Sequence, residues 1–259
     1  MIRSYESCLV AYSGGVDSAF LALVTHQELG NRALAAIADS ASLPRRELEE
    51  ALALGERFRF PVRVIRTNEF ENAEYVANPA NRCFFCKHEL FTELAPLAQA
   101  EGFAVIAYGE NLSDVGDFRP GAQAAAKFRV RAPLKEAGLT KADIRAFSSQ
   151  LGLPTAEKPQ MACLSSRIPH GERVTPEKLK MIEAGENILR DLGFYDVRVR
   201  HHELGNAQHL ARIEVGATEV SRLVTGALAA EVTEAFKKIG YLQVTVDLLG
   251  YRRGSLNAA

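Results

Sequence analysis

The chain begins with an apolar run, Cys8-Leu9-Val10-Ala11-Tyr12, followed by a small polar segment, Ser13–Ser18, and a second apolar stretch, Ala19–Val24. Short, mostly apolar runs recur at Ala33–Ala38, Val62–Ile65 and Val105–Tyr108, the pattern of strands buried on both faces. Between them the spacing predicts helices over Ala19–Glu28, Arg45–Arg57 and Phe84–Ala100. Strand and helix in alternation predict right-handed βαβ units and a parallel sheet covered on both sides. A further helix is predicted over Thr140–Leu151, capped by Thr140 with Asp143 in its first turn and closed by Gly152 and Pro154.

Past a proline-punctuated connector, 155–175, the pattern changes. Pro176–Leu192 reads as an amphipathic helix, Tyr195–His202 and His209–Val215 as alternating strands, Glu219–Ile239 as a helix and Tyr241–Leu249 as a strand. The expected architecture is therefore α/β. A parallel-sheet domain over residues 1–170 precedes a smaller α+β domain over 171–259, with no internal repeat.

Composition narrows the function classes. The 259 residues are 47% hydrophobic and 24% charged, the profile of a globular protein with a sizeable core. With 31 basic and 32 acidic residues the net charge is −1, so no broad nucleic-acid surface is expected. No apolar run is long enough to span a membrane, and the opening residues lack a signal-peptide core, so a cytoplasmic location is expected. Four cysteines are too few for a disulfide scaffold of this size. Cys8, inside the first strand, reads as a small core residue.

The segment Ser13-Gly14-Gly15-Val16-Asp17-Ser18 carries the first chemistry. A strand, a tight glycine turn and a helix N-terminus gather backbone N–H groups and a dipole end around one small volume, an anion site. Ser13 and Ser18 add hydroxyls. Asp17 would repel bound phosphate unless a cation lay between them, so it reads as a magnesium ligand or as the N-terminal carboxylate of its helix. Ligands of open parallel sheets bind beyond the carboxyl ends of the strands. That nominates Asp39, Ser40 and Ser42 after the second strand, facing ribose or adenine. It also nominates Gly109, Glu110, Asn111, Asp114, Asp117 and Arg119 after the fourth, with the acids able to hold magnesium.

Cys83-Phe84-Phe85-Cys86 presents two thiols from one helical turn, a geometry shared by redox pairs, zinc sites and iron–sulfur clusters. Zinc would need two more ligands, Cys163 with His88 or His170. A [4Fe-4S] cluster needs only Cys163 as its third thiolate, leaving one iron open to hydrosulfide. Cys163 lies among Ser165, Ser166, Arg167 and nearby Lys158, surroundings that favour a reactive thiolate. In the second domain, Arg198, Arg200 and His202 share one face of a strand, with Arg212 and Glu214 on the next. Such a row is a seat for a phosphate monoester or a solvated outer face.

The Ser13–Ser18 segment resembles the PP-loop of ATP pyrophosphatases, the adenine nucleotide alpha hydrolase-like fold. Three further stretches extend the likeness: Asn81-Arg82-Cys83-x-x-Cys86-Lys87; Gly109–Gly121; and Ala162-Cys163-Leu164-Ser165-Ser166-Arg167-Ile168-Pro169-x-Gly171. Together with Pro133-Leu134-x-Glu136-Ala137-Gly138-Leu139-Thr140-Lys141, these resemble LarE-type sulfur transferases. The resemblance implies ATP with Mg2+, adenylation of a carboxylate, and sulfur transfer to pyridinium-3,5-biscarboxylic acid mononucleotide, the precursor of the nickel-pincer cofactor of lactate racemase. It implies further that Arg198, Arg200 and Arg212 hold the substrate phosphate, with Arg167 bridging to the nucleotide site, and that the protein is a homo-oligomer. In one branch of the family the residue matching Cys163 gives up its own sulfur. In another, residues matching Cys83, Cys86 and Cys163 hold a [4Fe-4S] cluster, and the Cys-x-x-Cys pair here favours that branch. Competing classes are an RNA-thiolating PP-loop enzyme, which needs a basic surface, an amide-forming relative of NAD or GMP synthetases, which needs no cysteine trio, and a nucleotide-sensing module.

Overall fold

The computed structural model describes residues 1–116, 120–159 and 162–252. They form two compact units, Met1–Tyr75 with Asn81–Met161, and Val76–Ala80 with Ala162–Ala259. Among the described residues no helix is long and apolar enough to cross a membrane.

The first unit runs β1 (Cys8–Tyr12), α1 (Val16–Leu29), β2 (Ala33–Asp39), α2 (Arg45–Phe58), β3 (Val62–Arg66), α3 (Ala73–Val76), α4 (Arg82–Glu101), β4 (Val105–Tyr108), α5 (Pro120–Lys127), α6 (Pro133–Glu136) and α7 (Lys141–Gln150). Its four strands pair in parallel in the order β3-β2-β1-β4. β1 is buried throughout, and its side chains alternate between two cores. Cys8, Val10 and Tyr12 join the α1 side, whereas Leu9 and Ala11 join the α4 side with Phe91 and Leu94. Burying each such large side chain stabilises the fold by on the order of 2 kcal/mol. Burial also pushes the Cys8 thiol up to about 12, which suits a core residue.

The chain walks outward from β1 to β3 and then returns to the opposite side of β1. That reversal puts the topological switch point between β1 and β4, so the loops leaving these two strands open into one crevice. The predicted strands and the helices α1, α2, α4 and α7 are all present. Thr140 caps α7 as expected, in a reciprocal box with Asp143. The alanine-rich α5 and the single turn of α6 were not anticipated. Alanine favours helix strongly yet leaves no apolar period to read.

The second unit contains α8 (Pro176–Asp191), β5 (Arg198–Gly205), β6 (Gln208–Glu214), α9 (Val220–Val224), α10 (Ala227–Ile239) and β7 (Gln243–Val246). β5 and β6 are antiparallel, and β6 and β7 parallel. Three expectations need correction. The helix over Glu219–Ile239 is broken in two at Gly226, whose φ of 67° no L-residue adopts readily. β5 starts at Arg198 and reaches Gly205, ahead of a turn at Asn206 and Ala207, both at positive φ as a two-residue hairpin turn requires. β7 spans only Gln243–Val246 of the expected Tyr241–Leu249. Buried Asn78 ties the 76–80 segment to the connector, its side-chain amide donating to the carbonyls of Pro169 at 2.7 Å and Glu172 at 3.0 Å.

Candidate active site

The loop after β1 is shaped by what only glycine can do. Gly14 has a φ of 70°, and a Cβ there would lie 2.8 Å from the Ala51 Cβ on α2. Gly15 is the extended N-cap of α1, and buried Val16 anchors the first turn. Ser13 N–H donates to the Ser18 hydroxyl at 3.1 Å, the two hydroxyls lie 3.0 Å apart, and Ser18 Oγ donates to the Gly15 carbonyl at 3.2 Å. Asp17, in the same turn, does meet a cation. Lys141 Nζ lies 2.6 Å from its Oδ2, and Asn111 Nδ2 donates to Oδ1 at 3.3 Å. Lys141 is the first residue of α7, 124 positions along the chain. Residue chemistry gave no hint of this contact. Only membership of the Pro133–Lys141 stretch drew attention to Lys141.

Gly109 was expected to let a nucleotide approach the backbone. The room it leaves is taken by α1, because a Cβ at Gly109 would come within 2.9 Å of Ser18 N and 3.1 Å of the Asp17 carbonyl carbon. Glycine here lets the end of β4 close on the loop. Gly109→Ala should therefore displace the first turn of α1 and lower the rate of any reaction carried out at this loop by about 100-fold, as misplacement by about 1 Å does. Thermal unfolding of the variant would change by only a few degrees, and an unaltered rate would show that the contact is slack.

The remaining acids near the sheet edge are engaged within the protein. Asp114, at the end of a 3₁₀ turn (Leu112–Asp114), accepts the Asn111 N–H at 3.1 Å in a capping box. Buried Glu110 pairs with Lys135 at 3.2 Å and accepts the Tyr108 hydroxyl. Asp39 is paired with Arg45, and the Ser40 hydroxyl accepts Ser42 N–H at 3.2 Å. Ser42, expected at the ribose, is buried with its hydroxyl against that of Tyr75. Asp117 and Arg119 lie outside the described residues.

Cys83 and Cys86 stand three positions apart at the start of α4, so both thiols leave one helix face; Cys83 is exposed and Cys86 half-buried. Cys163, also half-buried, belongs to the second unit, where it caps the 3₁₀ turn Leu164–Arg167. Among the described residues no three His, Cys, Asp or Glu side chains gather as a metal site. His88, a candidate zinc ligand, stacks among Phe84 and Phe128. Lys158, expected to acidify Cys163, has its ammonium 2.5 Å from Glu47 and 2.8 Å from Glu50 on α2.

Arg167 is fully buried. Its Nε and Nη2 grip the Glu186 carboxylate at 2.7 and 3.0 Å, and Nη1 donates to the carbonyls of Ala162 at 2.6 Å and Cys163 at 3.0 Å. Burial penalises both charges, but each offsets the cost for the other. The guanidinium is held above its ordinary pKa and the Glu186 carboxyl below its own. Arg167 thus fixes the peptide that carries Cys163.

Arg198 and Arg200 share a face of β5, but that face is buried, which overturns the reading of it as solvated. Arg200 pairs with Glu214 at 2.7 Å, while Arg212 on β6 reaches Glu214 at 3.1 Å and Asp247 at 2.6 Å. Arg198 Nη1 donates to the Val197 carbonyl at 2.7 Å, with its guanidinium 4.6 Å from the centre of the Tyr251 ring. Burial and then the neighbouring Arg167 push the Arg198 pKa down, the mark of crowded positive charge. His202, expected to extend the cationic row, has its pKa lowered by burial and by Arg212, which disfavours its charged form.

A parallel sheet whose first strand feeds a glycine loop into a helix N-terminus, closed by the strand across the switch point, is a nucleotide-site architecture of the PP-loop class. No protein-family model matches the chain. It is 44% identical over 252 residues to the uncharacterized protein slr1717 of Synechocystis, covering 97% of this chain and 92% of that one. It is 29% identical over 257 residues to the pyridinium-3,5-bisthiocarboxylic acid mononucleotide synthase of Lactiplantibacillus plantarum, covering 99% and 91%. The uncharacterized protein MJ0830 of Methanocaldococcus jannaschii is 25% identical over 247 residues, covering 95% and 91%. The 44% identity places the chain in one family with slr1717, and its nearly full-length likeness to the synthase supports a LarE-type PP-loop family for this chain.

Proposed function

We propose that this protein is an ATP-dependent sulfur transferase that adenylates a carboxylate of pyridinium-3,5-biscarboxylic acid mononucleotide and replaces the AMP with sulfur, a step of nickel-pincer cofactor synthesis. The observation that carries this reading is a glycine loop at the sheet's switch point in a chain similar, along 99% of its length, to a bisthiocarboxylic acid synthase. A carboxylate resists thiolate attack because its leaving group would be oxide. Attack of its oxygen on the α-phosphorus of ATP releases pyrophosphate and leaves an acyl-AMP. Sulfur then adds to the carbonyl and expels AMP.

In this reading the N–H groups and hydroxyls of Ser13, Gly14, Gly15, Val16 and Ser18 hold the departing pyrophosphate, and Asp39 and Ser40 meet the ribose. Mg2+ accompanying ATP would neutralise phosphate charge, with Asp17 and Asp114 the carboxylates that would turn from their present protein partners to hold it; one or two suffice where phosphates complete the shell. Arg198, Arg200 and Arg212 would bind the phosphate of the mononucleotide. Support comes from guanidiniums that outnumber carboxylates there among the described residues and from the lowered pKa of Arg198, which an anion would relieve. Leu242, Leu248 and Leu249, exposed apolar side chains of the second unit, support a homo-oligomer.

The finer question is the route of sulfur. Cys83, Cys86 and Cys163 are suitable thiolate donors for a [4Fe-4S] cluster. From this chain's own groups, the Cys163 thiolate attacks the acyl-AMP to give a thioester. Loss of the Cys163 Cα proton with cleavage of its Cβ–S bond then leaves a thiocarboxylate and dehydroalanine. The test is turnover of anaerobically purified protein with ATP and the biscarboxylate, alongside iron and sulfide analysis. Pyrophosphate and AMP should form in equal amounts; ADP and inorganic phosphate as products would overturn the reading. Brown protein with Cys163 intact after turnover would assign the sulfur to a cluster. Colourless protein lighter by about 34 Da, one lost hydrogen sulfide, would assign it to Cys163 itself.

A further inference from the structure

Beyond β7 the chain turns back past the end of β6 and fastens to it twice. Asp247 N–H donates to the Ile213 carbonyl at 2.9 Å, and Tyr251 N–H donates to the Val215 carbonyl at 2.8 Å. Between them Gly250 N–H closes a turn on the Asp247 carbonyl at 3.0 Å. Gly250 has a φ of 67°, and a Cβ there would lie 2.7 Å from the Val215 carbonyl oxygen. Glycine lets the chain press this closely, so backbone contacts fix the path of residues 247–251.

Each end of this strap holds an arginine. The Asp247 carboxylate accepts Leu249 N–H at 3.0 Å and reaches Arg212 Nη1 at 2.6 Å. At the other end the centre of the Tyr251 ring lies 4.6 Å from the Arg198 guanidinium carbon. The two kinds of partner treat charge differently. A carboxylate cancels the positive charge it holds, whereas a ring face attracts a guanidinium through its quadrupole and leaves the charge in place. Arg200 is held by Glu214, and Glu186, whose charge also acts on Arg198, is gripped at two points by Arg167. The ring therefore holds Arg198 among neighbouring cations without adding a negative charge that a bound anion would meet.

We propose that Tyr251 is a positioning residue for the mononucleotide: its ring, set by the 247–251 strap, seats the Arg198 guanidinium for the substrate phosphate. This rests on the reading of Arg198 as part of the phosphate site and extends it to an uncharged side chain. Arginine has many rotamers, and one seated in advance loses less freedom when the anion arrives. The phosphate is remote from the reacting carboxylate, so this binding is equal in ground and transition states and acts on KM rather than kcat.

Turnover of the mononucleotide and of its phosphate-free riboside separates positioning from general support of the fold. Tyr251→Leu should raise KM for the mononucleotide about tenfold, with kcat for pyrophosphate release and KM for the riboside unchanged. Tyr251→Phe keeps the ring and should behave as wild type. An unchanged KM in Tyr251→Leu, a rise shared by the riboside, or an equal loss in Tyr251→Phe would each overturn the proposal. The chain has no tryptophan, so Tyr251→Trp sets a single fluorophore beside Arg198 while keeping an aromatic face. Its emission should change saturably with inorganic phosphate and not with chloride of equal ionic strength, a measurement that needs neither turnover nor the leucine variant. No such change would also overturn the proposal. Equal wild-type KM values for mononucleotide and riboside would defeat the phosphate-site reading and the proposal with it. Wild type that releases no pyrophosphate would defeat the sulfur-transferase reading, and the phosphate titration would still decide the role of Tyr251.

Discussion

Cys163→Ala protein should release a first equivalent of pyrophosphate from ATP and the biscarboxylate at close to the wild-type rate, yet form no thiolated product. In the proposed reaction adenylation draws on the loop of the first unit, whereas Cys163 belongs to the second, so removing one thiol would leave the first half-reaction intact. The second half-reaction loses its nucleophile or one of its sulfur carriers. A fall of roughly a thousandfold or more is expected, as for other enzymes stripped of the attacking group. Acyl-AMP should accumulate and hydrolyse slowly, giving AMP without sulfur incorporation. The measurement is product mass against released pyrophosphate in the same reaction. Thiolated product from Cys163→Ala at even a tenth of the normal yield would remove Cys163 from the chemistry.

Glu186→Gln should be the most damaging single change to stability. It leaves Arg167, with no exposed surface, beside Arg198 and Arg190 and without its bidentate carboxylate. Breaking one side of a buried ion pair costs about 3–5 kcal/mol, which in a chain of this size lowers Tm by roughly 10 °C. Glu186 also accepts the Val199 N–H at 3.1 Å, so the start of β5 should loosen with it. The same pair makes stability depend on pH. Burial works against ionised Glu186, but Arg167 together with Arg198 and Arg190 more than compensates and holds the folded carboxyl below its unfolded value. Its contribution is therefore complete above the ordinary glutamate pKa and disappears as pH falls through the folded one. Acid unfolding of the wild type should show this loss, and Glu186→Gln should flatten that limb. A variant with unchanged Tm would mean that the buried guanidinium finds another partner.

The first unit was largely legible in the order of residues because its signals are local. Apolar runs bounded by turns, a capping residue three positions before an acid, and two adjacent glycines after a strand are all readable without knowing what packs where. The second unit was less so. Glu219–Ile239 keeps a helical period across Gly226, and nothing nearby marks the glycine as a break rather than a tolerated interior residue. The face of β5 that carries Arg198 and Arg200 looks like an exposed strand face, since arginine is rarely buried. Partners outside β5 offset the burial: Glu214 pairs with Arg200, and the charge of Glu186 acts on Arg198.

The same division runs through the site. Sequence alone determined that a strand, a glycine loop and a helix follow one another, that a glycine follows β4, and that three cysteines and a set of arginines stand where the proposed chemistry would use them. Tertiary structure decided which charges meet. It set Lys141 on Asp17 across 124 residues, gave the space at Gly109 to α1, and turned Arg167 toward the Cys163 peptide. The reason is physical: backbone turns and helix starts depend on neighbours within one or two turns. Electrostatic pairing acts across space, and its strength is set by burial that no local stretch of sequence records.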